Sequence, residues 1–181
     1  MKIQNRQGSG KHFLRWALLL YGCLTSAAFA AVDGGLETKV KAAYLYHLIK
    51  FVEWPSPSGE AFRVCVHGSE TIGGMLGELS NRQVRDRPLK IEIQGDPARC
   101  QLLYIGRGDK DLPDLLARTR RLPILTVSDA DEFARRGGIV GFYSEAGKIR
   151  LEINPEAARA ANLRISAKLM ELARTVTTAR E

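Results

Sequence analysis

Two cysteines, Cys65 and Cys100, stand beside short apolar segments and have the chemistry to form a disulfide. Cys65 lies within Phe62–Val66, and Cys100 directly precedes Gln101–Ile105. In an oxidising compartment an isolated pair favours a disulfide, and its loop of about 35 residues would add roughly 2–4 kcal/mol of stability. The alternative is two buried thiols that pack as small hydrophobic groups. A cysteine-dependent enzyme is disfavoured because pairing consumes the nucleophile.

The other reactive side chains do not form a catalytic or metal-binding pattern. After the first 30 residues the histidines are His47 and His67, and their spacing does not suit a metal site. Ser128 lacks a G-x-S-x-G context and suits a helix N-cap. Glu152 and Glu156 could be paired carboxylates, but glutamate in a first helical turn ordinarily complements the helix dipole. We therefore predict no catalytic residue, no metal site and no cofactor.

A glycine pair, Gly73-Gly74, follows a predicted strand at the start of a helix, with Ser69 just before it. The N-terminus of a helix can hold an anion through its free N–H groups. Neither G-x-G-x-x-G nor a Lys-Ser/Thr pair after glycines accompanies these residues. Two interpretations stay open: close packing at a helix entrance, or an anion or small-ligand pocket at Ser69, Gly73 and Gly74. The second would make the protein a small-ligand sensor or solute-binding module.

The N-terminal segment, residues 1–30, has the order of features that directs export. A basic start without acidic residues precedes an apolar stretch from Trp16 to about Leu24, and Ala28-Phe29-Ala30 forms an A-x-A site. The stretch is too short to span a bilayer. We expect cleavage after Ala30 and a periplasmic protein. Lipoprotein processing at Cys23 and an uncleaved or buried N-terminal helix are the alternatives.

The positive charge of the chain lies largely in this leader. The whole chain has 27 basic and 20 acidic residues, a net charge of +7. Residues 1–30 hold four basic and no acidic residues, so 23 basic and 20 acidic residues remain, a net charge of +3. Nucleic acid is therefore not an expected partner. Residues 31–181 have the size of one domain.

Alternating apolar patterns predict an α/β fold. The first helix, Thr38–Trp54, should end before Pro55. Its apolar stripe consists of Val40, Ala43, Tyr44, Leu48, Phe51 and Val52. We predict a single layered domain with a mostly parallel central sheet, a C-terminal antiparallel hairpin and flanking helices. The predicted strands are Phe62–Val66, Leu89–Ile93, Leu102–Ile105 and Ile124–Val127, with the hairpin at Ile139–Tyr143 and Ile149–Ile153. The other predicted helices are near Ile72–Ser80, Asp111–Arg120, Ala130–Arg136, Pro155 and Ser166–Ala173.

Several ordered segments together resemble the YfiR family of periplasmic proteins, from about Val40 to Ala173. These segments are Lys41–His47, Lys50–Pro55, Leu102–Ile105, Ile124–Asp129, Gly137–Phe142, Arg150–Asn154 and Leu163–Ser166. The resemblance implies a periplasmic repressor that binds the periplasmic domain of an inner-membrane diguanylate cyclase of the YfiN type. Such a repressor keeps cyclic di-GMP low and restrains biofilm formation. An OmpA-like outer-membrane lipoprotein, YfiB, sequesters the best-known members, and a homodimer is left open.

The chain departs from the best-known members in its cysteines. Those members carry a second cysteine pair near the C-terminal hairpin, whereas residues from about Gly137 to Ile153 include none here. Cys65 and Cys100 match the other pair. One covalent link is thus missing, and a redox switch that depends on it is called into question.

Two regions are candidates for contact with a protein partner, because aromatic and aliphatic anchors usually dominate such contacts. The first comprises Tyr44, Tyr46, Phe51 and Trp54, on or after the first helix. The second runs from Glu152 through Ile165. Ordinary core packing is the alternative for both. The predicted partner-binding residues are Tyr46, Trp54, Glu152, Asn154, Arg159, Leu163 and Ile165.

Overall fold

The computed structural model describes residues 26–55 and 59–179. Cys23 and most of the predicted leader lie outside these residues. Ala30 falls inside a helix that begins at Ser26, and cleavage after it stays a prediction. No helix among the described residues is long and apolar enough to cross a membrane. From Glu37 onward the described chain forms one compact unit.

Helices and strands alternate along the described chain. The helices are α1 (Ser26–Phe51), α2 (Glu70–Gly77), α3 (Leu112–Thr119), α4 (Pro155–Ala160) and α5 (Ala167–Glu171). The strands are β1 (Val52–Glu53), β2 (Phe62–His67), β3 (Gln83–Val84), β4 (Arg87–Ile93), β5 (Leu102–Ile105), β6 (Leu125–Ser128), β7 (Val140–Glu145), β8 (Lys148–Ile153), β9 (Arg164–Ile165) and β10 (Arg174–Thr175). A 3-10 turn at Pro97–Arg99 precedes β5.

Eight strands of the described chain form the main sheet in the order β3-β4-β2-β5-β6-β7-β8-β10. Neighbouring strands run parallel except at β3–β4 and at the β7–β8 hairpin. The central strands are buried on both faces: Leu102 and Tyr104 of β5 pack in one apolar cluster, and Leu103 and Ile105 pack in the other. The mostly parallel α/β fold and its C-terminal hairpin are therefore confirmed.

Helix α1 packs on this sheet through a face that overlaps the predicted one only in part. Leu48 and Val52 are buried as predicted, but Leu45 and Ile49 are buried too, and Ala43 is exposed. The larger aliphatic side chains remove more apolar area from water than alanine does, and this sets the rotation of the helix. The helix begins before the predicted start at Thr38 and ends at Phe51, before the predicted end at Trp54.

The predicted helix at Ala130–Arg136 is wrong, because this segment is a series of turns. The Ser128 hydroxyl accepts a hydrogen bond from the Ala130 N–H at 3.0 Å, and Glu132 has a φ of 56°. A residue in the left-handed region interrupts an α-helix. The last predicted helix is shorter than expected, since α5 ends at Glu171 and the unpredicted strand β10 follows it.

Cys65 and Cys100 form a disulfide, as predicted, with 5.9 Å between their Cα atoms. Cys65 lies on β2, and Cys100 lies directly after the 3-10 turn that leads to β5. Both belong to the apolar cluster that contains Leu103, Ile105 and Phe133. The disulfide therefore joins two adjacent central strands on the face of the sheet opposite α1.

Candidate partner-binding cleft

The two predicted partner-binding regions meet through a small sheet that is separate from the main one. Strand β1 pairs antiparallel with β9, which places Val52 opposite Ile165 and Glu53 opposite Arg164. The Ser166 N–H also donates to the Phe51 carbonyl at 2.9 Å. These bonds fasten the end of α1 to the segment that follows α4.

A surface cleft of about 610 Å³ lies beside this small sheet. It contains Trp54 from the first predicted region and Arg159 and Leu163 from the second. Its lining residues are Glu53, Trp54, Pro55, Arg159, Asn162, Leu163 and Arg164. Residues that are far apart in the sequence thus form one continuous surface.

Trp54 is held firmly at the cleft. Its indole Nε1–H donates to the Gln101 carbonyl at 3.2 Å, and the ring packs edge-on against Phe62 with 5.1 Å between centroids. The Arg85 guanidinium lies 5.6 Å from the ring centroid and donates to the Val52 carbonyl at the end of α1. A half-buried tryptophan fixed in this way loses little side-chain entropy on binding a partner.

Arg159 and Arg164 give the cleft its positive charge. Both are exposed, and within the described part of the chain neither guanidinium forms an ion pair. Arginine and tryptophan are the residue types most often found at the energetic centre of protein interfaces. The cleft therefore suits a partner surface that carries carboxylates around an apolar or aromatic group.

The turn after α4 places these arginines. Asn162 has a φ of 55°, a conformation that asparagine tolerates well, and it ends the helix. The Leu163 N–H then donates to the Ala158 carbonyl at 2.9 Å, and Leu163 enters the core. As a result Arg159, in the last turn of α4, and Arg164, on β9, lie on the same cleft.

Several of the predicted partner-binding residues lie away from the accessible surface. Glu152, Asn154 and Leu163 are buried, while Ile165 is half-buried and packs against the core. Tyr46 is half-buried on α1, outside the cleft, with Lys50 and Arg82 over its ring. Direct contact of these residues with a partner stays a prediction.

The predicted anion-binding residues are used in packing at α2. Ser69 is its N-cap, and its hydroxyl accepts from the Ile72 N–H at 3.4 Å. Gly73 faces Ile93 so closely that a Cβ atom there would lie 1.9 Å from the Ile93 Cδ1 atom, whereas Gly74 is exposed. Gly73 therefore lies against the sheet, whereas Gly74 lies at the solvent-exposed side of α2. A ligand at these residues stays a prediction.

The nearby carboxyl ends of β2 and β5 also pack closely. In open α/β sheets, ligands often bind where neighbouring strands lead to helices on opposite sides. Here a Cβ atom at Gly106 would lie 2.4 Å from the Gly68 carbonyl oxygen, and the Asp109 side chain lies against Gly68. This tight contact, with an acidic side chain beside it, does not favour an anion.

Sequence reasoning missed a polar cluster around Lys41 of α1. Lys41 Nζ lies 2.7 Å from Asp129 Oδ2 and 2.6 Å from Glu37 Oε1. The other Asp129 oxygen accepts from the Arg107 N–H at 2.9 Å. Lys41 is buried, so the cluster links α1 to the carboxyl ends of β5 and β6. A single sequence contains no signal that pairs Lys41 with Asp129.

The pKa values in this cluster are set by burial and by the ion pair. Burial alone lowers the pKa of Lys41, but the hydrogen bonds that Lys41 donates to Asp129 and Glu37 outweigh it and leave this pKa raised. Burial alone raises the pKa of Asp129, but the hydrogen bond and charge of Lys41 leave it lowered. Burial and the Asp129 charge raise the pKa of Tyr104. Lys41 and Asp129 are therefore both charged near neutral pH.

The fold and the cleft define a class of protein: a single α/β domain whose cleft carries aromatic and arginine residues of the type found in protein interfaces. Within the described residues no group of His, Cys, Asp and Glu side chains could hold a metal ion. The sequence profile of the YfiR/HmsC-like family matches residues 38–174, and the chain belongs to this family. The family is periplasmic and generally consists of non-catalytic regulators. No curated protein matches the chain.

Proposed function

We propose that this protein is a non-catalytic periplasmic regulator that represses an inner-membrane diguanylate cyclase of the YfiN type. It does so by binding the periplasmic domain of the cyclase, which lowers cyclic di-GMP and restrains biofilm formation. Family membership supports the regulator. The observation that carries the proposed contact is the meeting of Trp54 and Arg159 in one cleft.

Repression by binding requires a difference in affinity between two states of the cyclase. A regulator that binds the inactive state about 100-fold more tightly than the active state shifts their equilibrium by up to about 100-fold. Trp54 offers a rigid apolar anchor, and Arg159 and Arg164 can pair with carboxylates that only one state presents in the right place. The cleft needs no catalytic group for this task.

The same proposal includes release of the cyclase by an OmpA-like outer-membrane lipoprotein of the YfiB type. A lipoprotein that covers the cleft competes with the cyclase, and mass action then returns the cyclase to its active state. The proposal involves no cofactor and no nucleic acid, and a homodimer is compatible with it.

The test is binding between this protein and a purified periplasmic domain of the cyclase, measured by isothermal titration. We expect R159E to weaken the complex by about 10-fold or more, because it reverses a charge that lines the cleft. W54A should weaken it by a similar factor. The matched control is R121E, which changes an exposed arginine outside the cleft and should alter the affinity by less than about 2-fold.

The melting temperature of each variant separates loss of binding from loss of folding. Wild-type affinity in folded R159E and W54A would refute the cleft as the contact surface. Absence of any complex between the wild-type protein and the cyclase domain would refute the partner itself. Cyclic di-GMP in cells that express each variant should rise in the order in which binding weakens.

A further inference from the structure

The end of the described chain forms a segment, Arg174–Ala179, that we name the C-terminal strap. Its first two residues are β10, which pairs parallel with β8 at Glu152 and Ile153. The Val176 N–H then donates to the Ile153 carbonyl at 2.9 Å, and Val176 is buried. The strap therefore occupies the outer edge of the main sheet.

Side chains also attach the strap to residues beneath it. The Arg174 guanidinium lies 2.7 Å from the Glu152 carboxylate and 4.1 Å from the centroid of the Tyr143 ring. The Asn154 amide donates to the Thr178 hydroxyl at 2.9 Å. The strap thus covers Glu152 and Asn154, two of the residues that the sequence predicts in contact with a partner.

The strap buries little apolar area for a segment that covers a sheet edge, although its Ala179 N–H also donates to the Arg135 carbonyl at 2.8 Å. A cavity of about 310 Å³ lies beside Thr175–Thr177, and another of about 520 Å³ lies beside Arg174; Arg135 lines both. The remaining described residues of the strap, apart from Val176, are exposed. Few apolar contacts and open space on two sides are the properties of a segment that detaches locally without global unfolding.

The strap also leaves much of the edge uncovered. Strand β8 has six residues, and among the described residues β10 pairs with the last two of them. The outward backbone groups of the preceding part of β8 are therefore open to another strand. An extended segment longer than the strap could form more backbone hydrogen bonds with this edge than the strap does.

The groups beneath the strap specify what could replace it. The Glu152 side chain is only 6% exposed and would be left buried without a counter-charge. The place of Val176 requires an aliphatic side chain, and Asn154 requires an acceptor at the position of Thr178. Because Arg174, Val176 and Thr178 alternate along the strap, the replacement must carry a basic, an aliphatic and a hydroxyl residue at two-residue spacing.

We propose that the outer edge of β8 is a docking site for an extended segment of a partner protein. This segment runs parallel to β8, has the pattern basic-x-aliphatic-x-hydroxyl and displaces the C-terminal strap. The strap is then an internal competitor that keeps the edge closed until such a segment is present. This edge lies near the cleft at Trp54, because Arg159 lines both that cleft and the cavity beside Thr175–Thr177. The proposal does not depend on the identity of the cyclase.

A second copy of this chain is a less suitable occupant. Two residues, Leu172 and Ala173, connect the strap to α5, and α5 is held by its buried Leu169 and by the Ser166 cap. A strap on so short a connection cannot reach another molecule unless α5 is displaced as well. A partner segment from a different protein meets no such restriction.

The test uses a fluorescent peptide of residues 173–179 and the full chain, with fluorescence polarisation as the measurement. In the variant R174A/V176A the strap loses its charge and its aliphatic anchor. We expect this variant to bind the peptide about 10-fold or more tightly than the wild type, because an attached competitor lowers apparent affinity. A peptide with glutamate in place of its arginine should bind about 10-fold more weakly. When the protein variant also carries E152Q, the affinities of the two peptides should differ less.

Hydrogen exchange of the unmodified chain tests the strap without any substitution. We expect the backbone amides of Val176 and Ala179 to exchange at least about 10-fold faster than that of Asn154, which donates to the Ile139 carbonyl at 2.9 Å. Exchange of all three amides at the rate of global unfolding would overturn the proposal, even if R174A/V176A does not fold. A folded R174A/V176A variant that shows no saturable peptide binding would also overturn the proposal. A wild-type dimer that the peptide dissociates would instead assign the edge to strand exchange between copies.

Discussion

At the scale of single residues, Lys41 is a buried charged side chain whose loss should lower stability. It is buried and pairs with Asp129, whose side chain is only 16% exposed. The variant K41M keeps the apolar part of the side chain but leaves the Asp129 carboxylate without its counter-charge. We expect the free energy of unfolding to fall by about 1.5–3 kcal/mol, measured by urea denaturation at pH 7. The control is K39M, which changes an exposed lysine on the same helix.

The pH dependence of the K41M effect follows from the direction of the two pKa shifts. The raised pKa of Lys41 contributes stability that is fully present below its unfolded value, about 10.4, and is lost as the pH rises through the folded value. The lowered pKa of Asp129 contributes stability present above its unfolded value, about 3.9, and lost as the pH falls through the folded value. The difference in unfolding free energy between the wild type and K41M should therefore be largest between about pH 5 and 9 and become smaller in acid. A deficit that is independent of pH would show that K41M acts through packing alone.

At the scale of elements, Asn154 connects the start of α4 with two other segments. Its Oδ1 atom accepts from the Glu156 and Ala157 N–H groups at 3.1 and 3.0 Å. Its Nδ2 atom donates to the Ala134 carbonyl at 2.8 Å and to the Thr178 hydroxyl. Because the side chain is fully buried, we expect N154A to lower the free energy of unfolding by about 2–4 kcal/mol, as measured by chemical denaturation.

Two further variants separate the cap from the buried amide. N154D keeps the cap acceptors but places a carboxylate against the Ala134 carbonyl, so it should also be less stable than the wild type. S166A removes the N-cap of α5, which makes one side-chain hydrogen bond, to the Leu169 N–H. We expect this control to lower stability by about 1 kcal/mol. Wild-type stability of N154D would mean that the cap alone accounts for Asn154.

Local patterns in the sequence predict the elements whose formation depends on their own residues. The continuous apolar run Leu102–Ile105 is a buried central strand, and the alternating runs around Ala146-Gly147 form the hairpin. The predicted apolar face of α1 was only partly right, with Leu48 buried but Ala43 exposed. A helix with apolar residues on several sides does not define a single buried face by its periodicity. The two-residue strands β1, β9 and β10 have no periodicity at all, since they exist only through pairing with distant residues.

The same distinction applies to the candidate site. Trp54 and Arg159 are predicted separately from residue type, but their shared cleft follows from the pairing of β1 with β9. The burial of Glu152 likewise follows from β10, which no local pattern indicates. Residue type therefore identifies candidates for binding, and long-range pairing decides which of them a partner can reach.

At the scale of the whole molecule, the Cys65–Cys100 disulfide links β2 to the residue that lies just before β5. These two strands are adjacent at the centre of the main sheet. Both apolar clusters of the domain share these two strands. The covalent link is therefore placed where separation of the strands would open the entire core, while the C-terminal strap at the sheet edge is left without one.

This placement leads to a prediction for C65A/C100A, which removes the disulfide without adding polar groups to the core. The link spans 35 residues, and its loss should lower the free energy of unfolding by about 2–4 kcal/mol, because the unfolded chain gains freedom. The melting temperature should fall by about 5–15 °C. The denaturant m-value should rise, since an unfolded chain without the cross-link exposes more surface. Wild-type protein with a reducing agent is the matched control and should give the same shift. An unchanged m-value together with reduced stability would show that the disulfide acts on the folded core and not on the unfolded chain.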